Sequence, residues 1–128
     1  MEKYRLGEME QKFAELIWEK EPIGSGELAK LAEAEFGWKR TTAYTMLKRL
    51  CVRELFANEG GTVRALVTRE EFQAARGELF LEENFNGSLP MFLAAFSKRK
   101  KLSGDEVEEL RKLIEEYEED GMEDGRQP

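Results

Sequence analysis

The chain has no histidine and a single cysteine, Cys51, among its 128 residues. Those two shortages remove several classes of chemistry. An intramolecular disulfide needs a second thiol, a Cys/His zinc site needs several ligands of those two types, and a histidine-based catalytic triad needs its base. No apolar run approaches the ~20 residues of a membrane span. The start, Met1-Glu2-Lys3-Tyr4-Arg5, leads into a charged segment and not into the apolar core of a signal peptide. A cytoplasmic protein without membrane insertion is therefore expected. The length fits one ordinary domain or two small ones sharing a core, which excludes a large multidomain enzyme. Acidic pairs such as Glu115-Glu116 lie in a glutamate-rich segment, and nothing supplies a nucleophile with its base or a metal cluster. Neither enzymatic activity nor a cofactor or metal is expected.

What the chain does have is enough apolar material to fold. Hydrophobic residues make up 41% against 37% charged, and two Trp, three Tyr and eight Phe can furnish a core. The net charge of −7 argues against a nucleic-acid partner only until it is divided along the chain. Residues 1–76 carry 13 Lys/Arg and 13 Asp/Glu, whereas residues 77–128 carry 7 against 14 and hold the whole excess. Between Phe36 and Arg69 stand Lys39, Arg40, Lys48, Arg49, Arg53, Arg64 and Arg69, opposed only by Glu54 and Glu59. Such a basic island is either a solvated helix face or an electrostatic footprint for DNA. The order of elements has to decide between them.

Met9, Phe13, Leu16 and Ile17 recur at the spacing of a helix with one buried face, so a first helix is expected over Gly7–Lys20. Pro22 and Gly24 stop it, and Ser25 is placed to cap a second helix with Leu28, Leu31, Ala32 and Phe36 inward and Gly37 at its end. Over Thr41–Glu54 the stripe Ala43, Leu47, Leu50 and Cys51 faces in, which turns Thr42, Tyr44, Thr45, Lys48 and Arg49 outward. Leu55–Glu59 and Thr62–Thr68 are β-prone runs around Gly60-Gly61, which reads as a hairpin. Three helices followed by a hairpin make a winged helix-turn-helix. In this arrangement Trp18 and Trp38 are core anchors and Cys51 is a small core residue.

The remaining chain reads as three more helices. Thr68-Arg69-Glu70-Glu71 is a capping box before a stripe of Phe72, Ala75, Leu79 and Phe80. Asn86-Gly87 breaks that helix, and Ser88 with Pro90 opens a fifth, Met91–Phe96, which is apolar nearly all round. Lys98-Arg99-Lys100-Lys101 closes it, where cations suit the helix dipole. Ser103–Glu106 forms a second capping box before Val107, Leu110, Ile114 and Tyr117. The fold class expected is mainly α. A winged helix-turn-helix DNA-binding domain over 1–69 precedes a three-helix dimerisation region over 70–120 and a flexible tail over 121–128. A unit of ~50 residues has little private core. It can fold back on the winged helix or, more economically, pair with a second copy about a two-fold axis. The interface expected for that homodimer is Phe80, Phe85, Leu89, Phe92, Leu93, Phe96, Val107, Leu110 and Ile114.

Four stretches of the chain together resemble one bacterial winged-helix family. They are Leu6-Gly7-Glu8-Met9-Glu10 with Leu16-Ile17-Trp18, the run Trp38–Leu50, Gly87-Ser88-Leu89-Pro90 with Phe92–Phe96, and Leu102–Ile114. In order and spacing they are similar to the BlaI/MecI/CopY-type penicillinase repressors. The resemblance implies a homodimer on a palindromic operator, repressing resistance or metal-homeostasis genes, often encoded beside a membrane sensor protease that acts on it. Three departures from the family pattern stand out. The cysteine pairs of the copper-responsive branch are missing. Ala95-Phe96 occupies the place of the Asn-Phe bond that is cut in the β-lactam branch. Arg53-Glu54 stands where the family tends to have a glycine after its third helix.

A helix-turn-helix repressor reads bases from the N-terminal part of its third helix and grips phosphate with the cations around it. The base-contact candidates are Thr41, Thr42, Tyr44 and Thr45. Positions matching them meet DNA in related repressors, though basic residues often stand at the places of Thr41 and Tyr44. A helix cap for Thr41 and a partly packed surface aromatic for Tyr44 are open alternatives. The phosphate candidates are Lys39, Arg40, Lys48 and Arg49, with Arg64 on the wing. Arg53 can instead pair with Glu54 or Glu59, and Arg69 with a glutamate of the fourth helix. The rival to a double-stranded DNA-binding repressor is a winged helix used as a protein-interaction module, with its acidic second half docking a partner.

Overall fold

The computed structural model describes residues 2–123. A single 3-10 turn, Glu2–Tyr4, leads into α1 (Glu8–Lys20), β1 (Ile23–Gly24), α2 (Ser25–Phe36), α3 (Arg40–Val52), β2 (Phe56–Glu59), β3 (Thr62–Ala65), α4 (Arg69–Asn84), α5 (Leu89–Arg99) and α6 (Gly104–Glu123). This is a winged helix followed by a helical C-terminal region, as the sequence predicts. The expected tail begins inside α6, which runs on to Glu123; residues 124–128 lie outside the described residues.

Helix boundaries follow local chemistry. At α1 the Gly7 N–H donates to Glu10 Oε1 at 2.9 Å, a side-chain acceptor for a donor the helix leaves open. Ser25 is not the cap of α2: Gly24 takes that place in extended backbone, and Ser25 begins the helix with its N–H donating to Gly61 O at 2.8 Å. That bond belongs to β1, a strand of two residues too short to leave a pattern in the sequence. Gly37 closes α2 at φ 69°, the left-handed conformation that glycine adopts at little cost. Both later capping boxes form. Thr68 Oγ1 accepts from Glu71 N at 3.0 Å while Glu71 Oε1 accepts from Thr68 N at 2.8 Å, which holds the Glu71 carboxyl below its ordinary pKa. Ser103 and Glu106 make the same exchange at 3.0 and 3.1 Å.

The three strands form an antiparallel sheet in the order β1-β3-β2. Across the hairpin Phe56 pairs with Ala65, Ala57 with Arg64, Asn58 with Val63 and Glu59 with Thr62. The two-residue connection Gly60-Gly61 has φ of 59° and 89°, the double positive φ of a type I′ turn. Alternation then sends Phe56 and Val63, both fully buried, to the core and leaves Ala57, Glu59, Thr62 and Arg64 on the outer face.

The core is built from Phe13, Leu16 and Ile17 of α1, Leu28, Ala29 and Ala32 of α2, and Ala43, Leu47 and Leu50 of α3, closed by Ile23, Leu55, Phe56, Val63 and Phe72. Two aromatic groups knit it. Trp38 meets Phe13 at 5.1 Å and Phe36 at 5.0 Å, and Trp18 meets Phe56 at 5.1 Å and Phe72 at 5.2 Å while its Nε1 donates to Val67 O at 2.9 Å. Both tryptophans are the anchors expected of them. Cys51 is half-buried beside this core, and burial pushes its thiol pKa up. Met9, expected inward, is exposed in the first turn of α1.

Phe72 moves the boundary that the sequence places at 69/70. Its ring is fully buried in the winged-helix core, Tyr4 packs on it at 5.9 Å, and Leu79 is also buried, so the first compact unit runs through Gly87 and contains α4. The second unit comprises α5 and α6, from Ser88 on. Replacing Phe72 by Ala should cost about 3–5 kcal/mol, because it leaves a cavity in this core. Urea unfolding followed by tryptophan fluorescence would measure that loss, since Trp18 touches the same ring.

Glu54, one residue past the Arg53 cap of α3, has φ 63°. An L side chain is strained in that region and glycine is not, so the residue expected from the family pattern is the one the backbone favours. Glu54→Gly should stabilise the chain by about 1 kcal/mol, read as a raised denaturation midpoint with an unchanged slope.

Candidate nucleic-acid interface

The third helix of a winged helix is useful only if one face is wholly committed to the core and the other is wholly free. In α3 Ala43, Leu47 and Leu50 are 2, 3 and 0% exposed. Thr41, Thr42, Tyr44, Thr45, Lys48 and Arg49 are all exposed, as are Lys39 and Arg40 at its start. The periodicity that buries the first set fixes the direction of the second. A shallow hollow of about 300 Å³ on this face is lined by Thr41, Thr42, Thr45, Met46 and Arg49. A larger groove of about 650 Å³ beside it brings Lys3 near Thr45, Lys48 and Arg49.

The cap of α3 is Lys39, whose carbonyl accepts from Ala43 N at 3.1 Å, and no side chain caps the helix. The hydroxyl of Thr41 is therefore not a cap, and the residue stands in the first turn with its side chain outward. No acidic residue occupies that turn. Lys39 and Arg40 thus sit at the positive end of the helix dipole, an arrangement unfavourable in the isolated helix and favourable to an approaching anion. Tyr44 is a partly packed surface aromatic. It is 39% exposed, and its hydroxyl oxygen lies 3.9 Å from the place a Cβ on Gly26 would occupy, so the ring leans over the start of α2.

Charge pairing separates the arginines of the first unit. Arg5 is joined to Glu83, Arg64 to Glu59 at 2.7 Å and Arg69 to Glu15 at 2.7 Å. Arg53 is anchored differently from the sequence expectation. It donates to the carbonyls of Glu2 and Arg5 at 2.5 and 2.7 Å and lies 4.0 Å from Glu10, not beside Glu54 or Glu59. It ties the first residues to the end of α3, which is a structural task. Arg69 likewise meets a glutamate of α1, not one of α4, because α4 packs its first turn against α1. Arg76 donates to the Gln11 side chain and lies over the Phe72 ring. Among the described residues, Lys39, Arg40, Lys48 and Arg49 have no carboxylate within ion-pair distance; the contact made by Arg49 is a long one, 3.8 Å, to Met46 Sδ. Three project from α3 and the fourth, Lys39, from its cap.

Arg64 stands on the outer face of the wing with Glu59 in its fork. Nε and Nη2 donate to the two carboxylate oxygens at 2.7 and 3.3 Å, which holds the Glu59 carboxyl below its ordinary pKa. The sequence contained the signal for this pair: residues flanking a two-residue turn at i and i+5 are diagonal neighbours on one face. Lys3 is a further cation, brought near α3 only by the fold. No group of three or more His, Cys, Asp or Glu among the described residues could hold a metal ion.

In the second unit none of residues 88–120 is buried. Leu89, Met91, Leu113, Ile114 and Tyr117 are each more than half exposed, and Phe96, Val107 and Leu110 are exposed at 36–38%. Phe92 and Leu93 are half-buried, with Phe92 stacked on Phe96 at 5.5 Å. Phe80 and Phe85 lie at the end of α4 in the first unit, 5.9 Å apart. No helix of the described residues is long and apolar enough to cross a membrane.

The chain matches the family model described as penicillinase repressor over residues 6–116. It is 26% identical over 117 residues to the penicillinase repressor of Bacillus licheniformis, covering 88% of this chain and 91% of that protein. It is 22% identical over 115 residues to the methicillin resistance regulatory protein MecI of Staphylococcus aureus (strain Mu50 / ATCC 700699), covering 87% and 94% respectively. A match of that extent, on a winged helix whose third helix presents unneutralised cations beside threonines and a tyrosine, makes the chain a member of the penicillinase repressor family, the BlaI/MecI-type regulators.

Proposed function

We propose that the chain is a sequence-specific transcriptional repressor that binds a palindromic operator in double-stranded DNA as a homodimer. The observation that carries this reading is the concentration of cations lacking a carboxylate partner on α3. Lys39, Arg40, Lys48 and Arg49 surround exposed Thr41, Thr42, Tyr44 and Thr45 on the face turned from the core. The cations supply the salt-dependent affinity through phosphate, and the hydroxyls and the thymine-methyl contacts open to threonine supply discrimination. Arg64 adds a contact from the wing. The names of the two relatives, a penicillinase repressor and a methicillin resistance regulatory protein, agree with a regulatory role.

The dimer follows from the second unit. With none of its described side chains buried, α5 and α6 present an apolar surface that water does not favour, and a second copy is the partner that is always available. Leu89, Phe92, Leu93, Phe96, Val107, Leu110 and Ile114 form the proposed contact, with Phe80 of α4 and Phe85 at its cap contributing. Two recognition helices related by a two-fold axis then read half-sites about one helical turn, or a multiple of it, apart. Relief of repression by a membrane sensor protease belongs to the family resemblance. At Ala95-Phe96 it would require α5 to open locally, since the bond lies inside that helix.

Selection of bound duplexes from a random library tests the reading, with enrichment of a two-fold symmetric site as the expected result. An interaction module would enrich nothing while remaining folded. On the selected site, Tyr44→Ala should lower discrimination against mismatched duplexes by about 1 kcal/mol while leaving nonspecific binding in place. Lys48→Ala should instead weaken binding to every sequence and reduce the slope of log affinity against log salt by about one. An unchanged slope would remove Lys48 from the phosphate contacts. Ile114→Glu should shift the chain toward monomer in sedimentation equilibrium and weaken operator binding, although it lies far from α3 in the sequence.

A further inference from the structure

Of the five phosphate candidates, Arg64 is the one that already holds an acid. The hairpin places it there by geometry. Ala57 stands directly across from Arg64 and is too small to reach it, while Glu59, two residues on along the same strand and face, lies diagonally within its fork. We propose that Glu59 is an internal stand-in for a DNA phosphate: it occupies the wing arginine in the free protein, and duplex binding requires a phosphate to displace it. The inference rests on the DNA-binding reading above and concerns how tightly that binding is set.

Three observations support it. Arg engages carboxylate and phosphate through the same pair of parallel N–H bonds, so Nε and Nη2 cannot serve Glu59 and a phosphate bidentately at once. The pair is open to solvent, with the Arg64 and Glu59 side chains 48% and 62% exposed, so an incoming phosphate meets no steric barrier and the exchange is between weakly held partners. Nor is Glu59 needed to build the wing. The Gly60-Gly61 turn and the burial of Phe56 and Val63 fix the register without it. Glu21, the other carboxylate that influences Arg64, is engaged elsewhere, its Oε1 accepting from Ala65 N at 2.7 Å. Glu59 is thus the acid that competes.

A double-mutant cycle tests the proposal by fluorescence anisotropy of the full chain on its selected duplex across a salt series. Glu59→Gln, Arg64→Ala and the combined variant are compared with the unmodified protein, and circular dichroism verifies folding; Glu59→Ala serves as a second variant at the same position. Glu59→Gln should bind about two- to fivefold tighter, with a log–log salt slope steeper by up to about one. In the Arg64→Ala background the same substitution should produce no gain. Unchanged affinity and slope for Glu59→Gln would overturn the proposal. An equal gain with and without Arg64 would also overturn it, since removal of a negative charge near DNA would then suffice. Failure of the unmodified protein to bind any duplex would instead overturn the repressor reading, and the proposal with it, so the two failures are read from different arms.

Discussion

The anchoring of α3 by Ala43, Leu47 and Leu50 is the constraint on which the rest of the molecule depends. These three residues are buried to within 3% of completely, and each is small or unbranched enough at Cβ to let the helix seat closely on α1 and α2. Once that stripe is fixed, every other position of α3 is determined, because a helix cannot rotate one residue outward without rotating another in. The Phe13–Trp38–Phe36 cluster secures the connection from α2 into α3, and Arg53 secures the far end by binding the carbonyls of Glu2 and Arg5. A surface held at both ends and along its length is preorganised, so under the proposed function little conformational freedom remains to be lost when it meets a rigid duplex.

The wing is held by a separate set of interactions that converges on the same core. Phe56 and Val63 drive the hairpin inward, and β1 adds a short third strand that connects the start of α2 to the turn through Ser25 and Gly61. Trp18 then joins wing, α1 and α4 in one cluster, touching Phe56 and Phe72 and bonding Val67 O. Helix α4 is therefore part of what positions the wing as well as the chain's route toward its second unit. That double duty explains why Phe72 and Leu79 are buried while Phe80 is exposed and Phe85, at the C-cap, is not buried.

Much of this was legible in the sequence, and the exceptions have physical reasons. Helices with a strong apolar stripe, the Gly-Gly hairpin and the two S/T-x-x-E capping boxes announce themselves because periodicity and turn chemistry are local. Strand β1 does not, since two residues carry no period. The cap of α2 is shifted by one for the same reason: the bond from Ser25 to Gly61 is set by the sheet, 36 residues away in the chain. The boundary expected at 69/70 differs from the end of the compact unit at Gly87 because the capping box at Thr68 marks a helix start truthfully but says nothing of which core that helix joins; Phe72 decides this through its contacts with Tyr4 and Trp18. At the interface, the outward face of α3 could be read from the stripe alone. The pairing of Arg53 and Arg69 could not, because they find partners on α1 and near the start of the chain that only the fold brings near.

An acidic chain that binds DNA presents an electrostatic problem that the arrangement of its charges resolves. The net −7 belongs to residues 77–128, and most of its acids lie along α6, a helix of 20 residues. Such a helix is about 30 Å long, whereas charges in physiological salt are screened beyond about 8 Å. Wherever α6 lies, few of its carboxylates can act at full strength on any one phosphate. The four cations of α3, by contrast, fall within a helix of 13 residues and its cap, close enough to act together on one stretch of backbone. Screening therefore makes the local count decisive and the total charge secondary. The same argument gives weight to Glu59, because a carboxylate 2.7 Å from Arg64 lies well inside the screening length.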